Sequence, residues 1–256
     1  QNMDSVFVID DNKSLIENVK AVQEAAMKYR IAKRWGKPVD KKEWHMTPQT
    51  VNAYYDPTTN SINFPAAILQ PPFFDPTVDD AANYGAIGAV IGHEMSHGFD
   101  DQGCQFDKDG NMKNWWTEED KKNYDARTKV LVDWFNKQEV IPGLYVNGEK
   151  TLGENIGDNG GLNIAFRALE NSMKTKPLND MDGFTPAQRF FLAWGRVWAS
   201  NVAPQFVAYI VNSDVHSPSI SRVNAALPMI DYWYKAFDIK EGDKLFVPQQ
   251  SRAHIW

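Results

Sequence analysis

The stretch Gly92-His93-Glu94-Met95-Ser96-His97-Gly98-Phe99-Asp100-Asp101 decides the reading of this chain. On an α-helix, residues four apart share a face, so His93 and His97 present both imidazoles to one ion. Zinc takes such nitrogen ligands at about 2.0–2.1 Å. Glu94 is turned by one residue and stands beside the pair. From there its carboxylate accepts a proton from zinc-bound water and does not bind the metal. Zinc lowers the pKa of that water to about 7, which brings a carboxylate within range as the base.

The helix carrying this motif is expected over 78–99. Gly85, Gly88 and Gly92 interrupt it at helical spacing. Each costs about 1 kcal/mol relative to alanine, which predicts a very close neighbour on that face. Met95, Val90 and Ile91 are candidates for a substrate pocket, and core packing explains them equally well.

A catalytic zinc site needs a third protein ligand and an open fourth position. A third histidine at 103 is excluded, because Gly103 stands there. Glu118 and Glu119 lie in Thr117-Glu118-Glu119-Asp120, where acids are expected at a helix N-terminus. Glu154 and Asp158, in Gly153-Glu154-Asn155-Ile156-Gly157-Asp158-Asn159-Gly160-Gly161, are four apart on one helix face. Glu154 suits the metal, with Asp158 accepting from the far nitrogen of a ligand histidine. The competing reading, two acids on the first turn of a solvated helix, is favoured on the residues alone. Asp100 either holds His97 or caps the loop at Gln102-Gly103, with equal weight.

Composition limits the remaining possibilities. The 256 residues are 43% hydrophobic and 12% aromatic, enough for a sizeable core in one large domain or two lobes. A net charge of −6 argues against a nucleic-acid partner, which needs a basic stripe. No run of 18 apolar residues is present, so no membrane span is expected in this chain. Cys104 is the single cysteine, which leaves no intrachain disulfide. The opening Gln1-Asn2-Met3-Asp4 shows neither a basic nor an apolar leader. No residue fixes the compartment; an extracytoplasmic address, periplasmic or surface, is favoured over a cytoplasmic one.

Around the motif the expected elements are mainly helical: 13–35, 117–137, one from near Leu152, and 186–210. The first carries Leu15, Val19, Val22, Ala25, Ala26, Tyr29 and Ile31 at helical spacing. Two short strands, 51–55 and 61–64, flank a turn at 56–60. A short helix around Trp233 lies within 228–256. Asp107-Lys108-Asp109-Gly110-Asn111 reads as a plain Asp-Gly turn, because a calcium loop needs a later glutamate that is missing. The class is α+β and mainly helical.

Taken together, the blocks resemble the neprilysin and endothelin-converting-enzyme family of zinc endopeptidases. The residues that carry the resemblance are Asn52-Ala53-Tyr54-Tyr55, the zinc helix from Gly92 to Asp101, Asn114-Trp115-Trp116, the block Glu154 to Gly161, Asp214-Val215-His216-Ser217-Pro218, Arg222-Val223-Asn224 and the terminal Trp256. The likeness spans roughly 50–256. It implies a thermolysin-like (gluzincin) catalytic domain, with a small sheet over the zinc helix. It implies one Zn2+ per chain held by His93, His97 and Glu154, with Asp158 and Asp100 orienting the two histidines.

By the same resemblance, Asn52 and Ala53 bind the backbone of a peptide substrate. His216 stabilises the oxyanion, although a loop hydrogen bond is the favoured reading of its residue type alone. Arg222 binds a substrate carbonyl and braces the site. The implied activity is endopeptidase cleavage of short peptides with a large apolar residue on the primed side. Family members are longer, so residues 1–256 are expected to be the C-terminal catalytic portion of a longer protein, with its N-terminal lid portion absent. The lid is then a partner, and an inactive zinc-binding fragment is the alternative. The tail Ser251 to Trp256 lacks the cysteine of vertebrate members, which fits a bacterial relative.

Overall fold

The computed structural model describes residues 6–255, so Gln1-Asn2-Met3-Asp4 and Trp256 lie outside the described residues. The chain divides into two compact units, one ending at His45 and one beginning at Met46.

In the first unit, Ser14 opens α1 (Leu15–Arg34) with a reciprocal capping box to Glu17. Such a cap contributes about 1 kcal/mol. The expected apolar stripe is present, yet Leu15, Val19 and Ile31 remain exposed and Asn18 is the residue buried on this helix.

The second unit carries the site. Its helices are α2 (Asp80–Asn83), α3 (Ala89–Ser96), α4 (Glu118–Phe135), α5 (Leu152–Met173), α6 (Pro186–Val197), α7 (Pro204–Ser213), α8 (Ser219–Asn224) and α9 (Asp231–Phe237). Two antiparallel pairs join them. β1 (Tyr54–Asp56) pairs with β2 (Ser61–Asn63) in the register Tyr55 to Ile62, and β3 (Glu139–Ile141) pairs with β4 (Leu144–Tyr145). The mainly helical α+β expectation holds.

Three boundaries differ from the sequence reading. Residues 51–53 are irregular and the strand runs on to Asp56, because Asp56 caps its own turn through Thr58. The span 186–210 is two helices, since Pro204 has no amide hydrogen to continue the first and instead starts α7. The helix expected over 78–99 contains a π-turn at Tyr84–Gly88 and ends in a 3-10 turn at His97–Phe99.

The glycine spacing has a physical cause at two of its three positions. A Cβ on Gly85 would lie 2.0 Å from the carbonyl oxygen of Phe190, and one on Gly92 would lie 2.9 Å from Gly161. Gly88 has only ordinary contacts. α3 and α5 therefore cross with Gly92 and Gly161 in near-backbone contact, which brings the motif helix against the Glu154 helix.

The main core beneath this crossing contains Leu162, Phe166, Leu169, Phe190, Trp194 and Ile230. A second cluster packs Leu131, Phe135, Ile156 and Met229 between α4 and α5. A third, of Ala53, Ile68, Ile87 and Val90, joins the β1 approach to α3 and its π-turn. Elsewhere the local readings hold. Thr117 and Asp120 form a capping box, with Glu118 and Glu119 in the first turn. Asp107 and Gly110 (φ +83°) make a plain turn.

Candidate active site

His93 lies on α3 and His97 on the 3-10 turn that follows, with ring centroids 4.6 Å apart and planes nearly perpendicular. Each ring is held from behind. Nδ1 of His93 lies 2.9 Å from Oδ1 of Asp158, and Nδ1 of His97 lies 2.7 Å from Oδ2 of Asp100. A carboxylate at Nδ1 fixes that proton and leaves the Nε2 lone pair facing forward.

Both Nε2 atoms face Glu154 on the first turn of α5. The distances are 3.1 Å from His93 to Oε2 and 3.7 Å from His97 to Oε1. His216 reaches the same carboxylate from the loop after α7, with its Nε2 3.1 Å from Oε2. Glycines make room for this arrangement. A Cβ on Gly157 would lie 2.6 Å from the His93 ring.

Glu94 is buried (5% exposed) beside this cluster, and its Oε2 has no hydrogen-bond partner. Oε2 of Glu154 is likewise buried with no partner of good hydrogen-bond geometry. Buried acceptors in this state cost free energy unless a donor or cation meets them. Two imidazoles whose Nδ1 atoms are taken by carboxylates and whose Nε2 atoms face the Glu154 carboxylate form, once Nε2 is deprotonated, a donor set of the kind a catalytic zinc takes. The residues fit the ion. Ligand atoms of His93, Glu94 and His97 also lie within 4.8 Å of one another, so both Glu94 and Glu154 are geometric candidates for third ligand.

The electrostatics follow from burial and pairing. Burial opposes the charged form of His93, but Asp158 and Glu154 outweigh it and push its pKa up to about 9. Burial raises Glu94 above the ordinary carboxylate range. Burial would also raise Glu154, but His216 and His93 pull it well below that range. Asp158 is lowered against its burial, chiefly by Arg222.

Asp100 makes both of the contacts weighed for it. One oxygen holds His97, and the other accepts from the amides of Gln102 and Gly103. Arg222, on α8, lies behind Asp158 and rests its guanidinium 3.8 Å from the Trp198 ring centroid. The sequence reading names Asp214 only as part of its block, with no role of its own, and does not single out Trp198. Asp214 accepts at 2.7 Å from Nδ1 of His216, and an acid two residues before a histidine was the signal available.

These groups line one cleft of about 830 Å³. Asn52, Ala53 and Tyr54 form one wall, and Ile68, Phe73 and Val90 supply apolar surface. Ile91 and Met95 do not line it and are partly exposed on α3.

The comparisons with known proteins bear on the same residues. The family model described as Peptidase family M13 matches residues 52–253. The chain belongs to peptidase family M13. Among M13 relatives, the neutral endopeptidase of Lactococcus lactis subsp. lactis is 37% identical over 227 residues, which is 89% of this chain and 34% of that protein. Neprilysin of Homo sapiens is 36% identical over 250 residues, 95% of this chain and 32% of that protein. The chain thus spans about a third of the length of these relatives.

Among solved M13 structures, the Mycobacterium tuberculosis zinc metalloprotease Zmp1 in complex with an inhibitor superposes with a TM-score of 0.90 at 46% identity. The match covers 98% of this chain and 39% of that one. PepO from Lactobacillus rhamnosis gives 0.83 at 34% identity, covering 100% of this chain and 39% of that one. The fold is the gluzincin fold of these M13 peptidases. Among the described residues, no helix is long and apolar enough to cross a membrane.

Proposed function

We propose that this chain is the catalytic portion of a zinc-dependent endopeptidase that hydrolyses short peptides. One observation carries the reading: Nε2 of His93, Nε2 of His97 and the Glu154 carboxylate converge at the floor of the cleft, with both imidazoles fixed from behind by carboxylates. Glu154 is the third ligand because it faces both Nε2 atoms, which leaves Glu94 as the base. One zinc per chain fits this set. When bound, that ion polarises the scissile carbonyl and acidifies the attacking water.

The chain's own groups do the rest. Glu94 takes the proton of the attacking water and passes it to the leaving amine; burial, which raises its proton affinity, suits it to both steps. Asp214 occupies Nδ1 of His216, so Nε2 is the atom that faces the reacting centre and donates to the developing oxyanion. Ala53 N–H is already bonded to Oδ1 of Asn52, which leaves the Asn52 amide nitrogen and the Ala53 carbonyl for an extended peptide backbone. Arg222 braces Asp158 and adds positive charge to the wall that receives a substrate carbonyl. Ile68, Phe73 and Val90 support a preference for a large apolar residue on the primed side. The greater length of the relatives supports a lid supplied by another portion of the same protein.

Turnover of a quenched fluorogenic peptide, measured beside zinc content, tests the reading. Glu94→Gln should retain zinc and lose cleavage, and a series varied on the primed side should favour Phe or Leu over Asp. Normal cleavage by Glu94→Gln would contradict the mechanism. Stoichiometric zinc without turnover by the unaltered chain would indicate the inactive-fragment alternative.

A further inference from the structure

The loop that presents His216 and the helix that presents Glu154 are joined by hydrogen bonds the chemistry above does not use. Ser217 Oγ donates to Oδ1 of Asn155 at 2.8 Å. Nδ2 of Asn155 donates to Oγ1 of Thr151 at 2.9 Å, and that hydroxyl donates to the carbonyl of Asn147 at 2.9 Å. Ser217, Asn155 and Thr151 are all buried, at 3%, 2% and 4% exposure.

The direction of the chain is forced. The Thr151 proton is committed to Asn147, so Thr151 accepts from Asn155. The Asn155 amide must therefore turn its nitrogen to Thr151 and its oxygen to Ser217. The Ser217 proton then has one acceptor and one rotamer. Ser217 follows His216 directly, and Asn155 follows Glu154 directly. The link thus ties the two backbones one residue behind the 3.1 Å contact between His216 Nε2 and Glu154 Oε2.

We infer that Ser217 and Asn155 are positioning residues that set His216 against Glu154 and hence against the reacting carbonyl. This inference rests on the proposed peptidase reading. His216 is 43% exposed at its side chain and comes from a loop, so Asp214 and Glu154 hold its ring by the two nitrogens while the buried link fixes where the loop sits. A displacement on the order of 1 Å at such a group costs roughly 10²-fold in rate.

The test is a double-mutant cycle on the zinc-loaded protein, reading kcat, KM and zinc content for Ser217→Ala, His216→Ala and the pair. Ser217→Ala should lower kcat at least about 10-fold, within that cost of misplacement, while KM and zinc content hold. In the His216→Ala background the same change should add nothing. Asn155→Ala should reproduce Ser217→Ala from the other side of the link, and it substitutes if Ser217→Ala does not fold.

A readout independent of turnover is the crystal structure of Ser217→Ala, in which the His216–Glu154 contact should be lost. A wild-type kcat with His216 unmoved would overturn the inference, as would an effect of Ser217→Ala that persists without His216. If His216→Ala itself cleaves at the wild-type rate, the role given to His216 is wrong, and the crystal distance alone then decides whether the link positions it.

Discussion

Arg222 grips Asp158 with two hydrogen bonds, Nε to Oδ2 at 2.8 Å and Nη2 to Oδ1 at 2.6 Å, and that same Oδ1 lies 2.9 Å from Nδ1 of His93. The three side chains form one buried unit in which the arginine fixes the carboxylate and the carboxylate fixes the imidazole. A buried charge is tolerable only when paired and hydrogen-bonded, and here each charge has its partner.

Asp158→Asn keeps the shape and removes the charge. It leaves a buried guanidinium without its counter-ion, a change that costs about 3–5 kcal/mol. It also leaves a single amide oxygen to serve both His93 Nδ1 and Arg222 in place of two charged ones, so the ring is held less firmly and zinc affinity should fall about 10–100-fold. Urea denaturation and metal competition with a chromophoric chelator read the two effects. A variant with unchanged affinity would show that Asp158 serves stability alone.

The crossing of α3 and α5 makes an opposite pair of predictions for two glycines. A Cβ on Gly161 would lie 2.4 Å from the carbonyl oxygen of Ala89, so Gly161→Ala should destabilise by about 1–3 kcal/mol or more and disturb the site. Gly195 lies in the last turn of α6, with nothing within 4 Å of an added Cβ. Gly195→Ala should therefore stabilise by about 0.5–1 kcal/mol. Chemical denaturation of both variants checks the sign of each.

Metal removal should act on stability as well as on turnover. Without a cation, Glu94 and Glu154 keep buried oxygens with no good partner. Zinc at about 1,000 times its Kd adds about 4 kcal/mol to the folded state. Chelation should lower the thermal midpoint of the unit that begins at Met46, and added zinc should restore it. Equal midpoints with and without metal would contradict binding at this floor.

The zinc helix was readable because its chemistry is local. His93 and His97 need only the helical period to face one ion, with Glu94 turned aside by one residue, and the glycine spacing predicts the close crossing that Gly92 and Gly161 make. Glu154 is different. It lies 57 residues after His97 in the chain, and the residues alone favour a solvated first turn; only the resemblance pairs it with the two histidines, which it faces in the fold. The sequence offers Asp100 two alternative partners and does not show that its two carboxylate oxygens divide them. Trp198 under Arg222 was not legible, since a tryptophan at a helix end has many tertiary fates. The pair β3 and β4 escaped notice because strands of three and two residues carry too little alternation to register. The π-turn at Tyr84–Gly88 has Gly85 against the Phe190 backbone, a tertiary contact that no local pattern encodes.

The most direct measurement is anomalous diffraction at the zinc edge from crystals of the protein. The account predicts one peak within bonding distance of His93 Nε2, His97 Nε2 and a Glu154 oxygen, with Glu94 outside the coordination sphere. A peak coordinated by Glu94 in place of Glu154, or a metal bound away from both histidines, would contradict it.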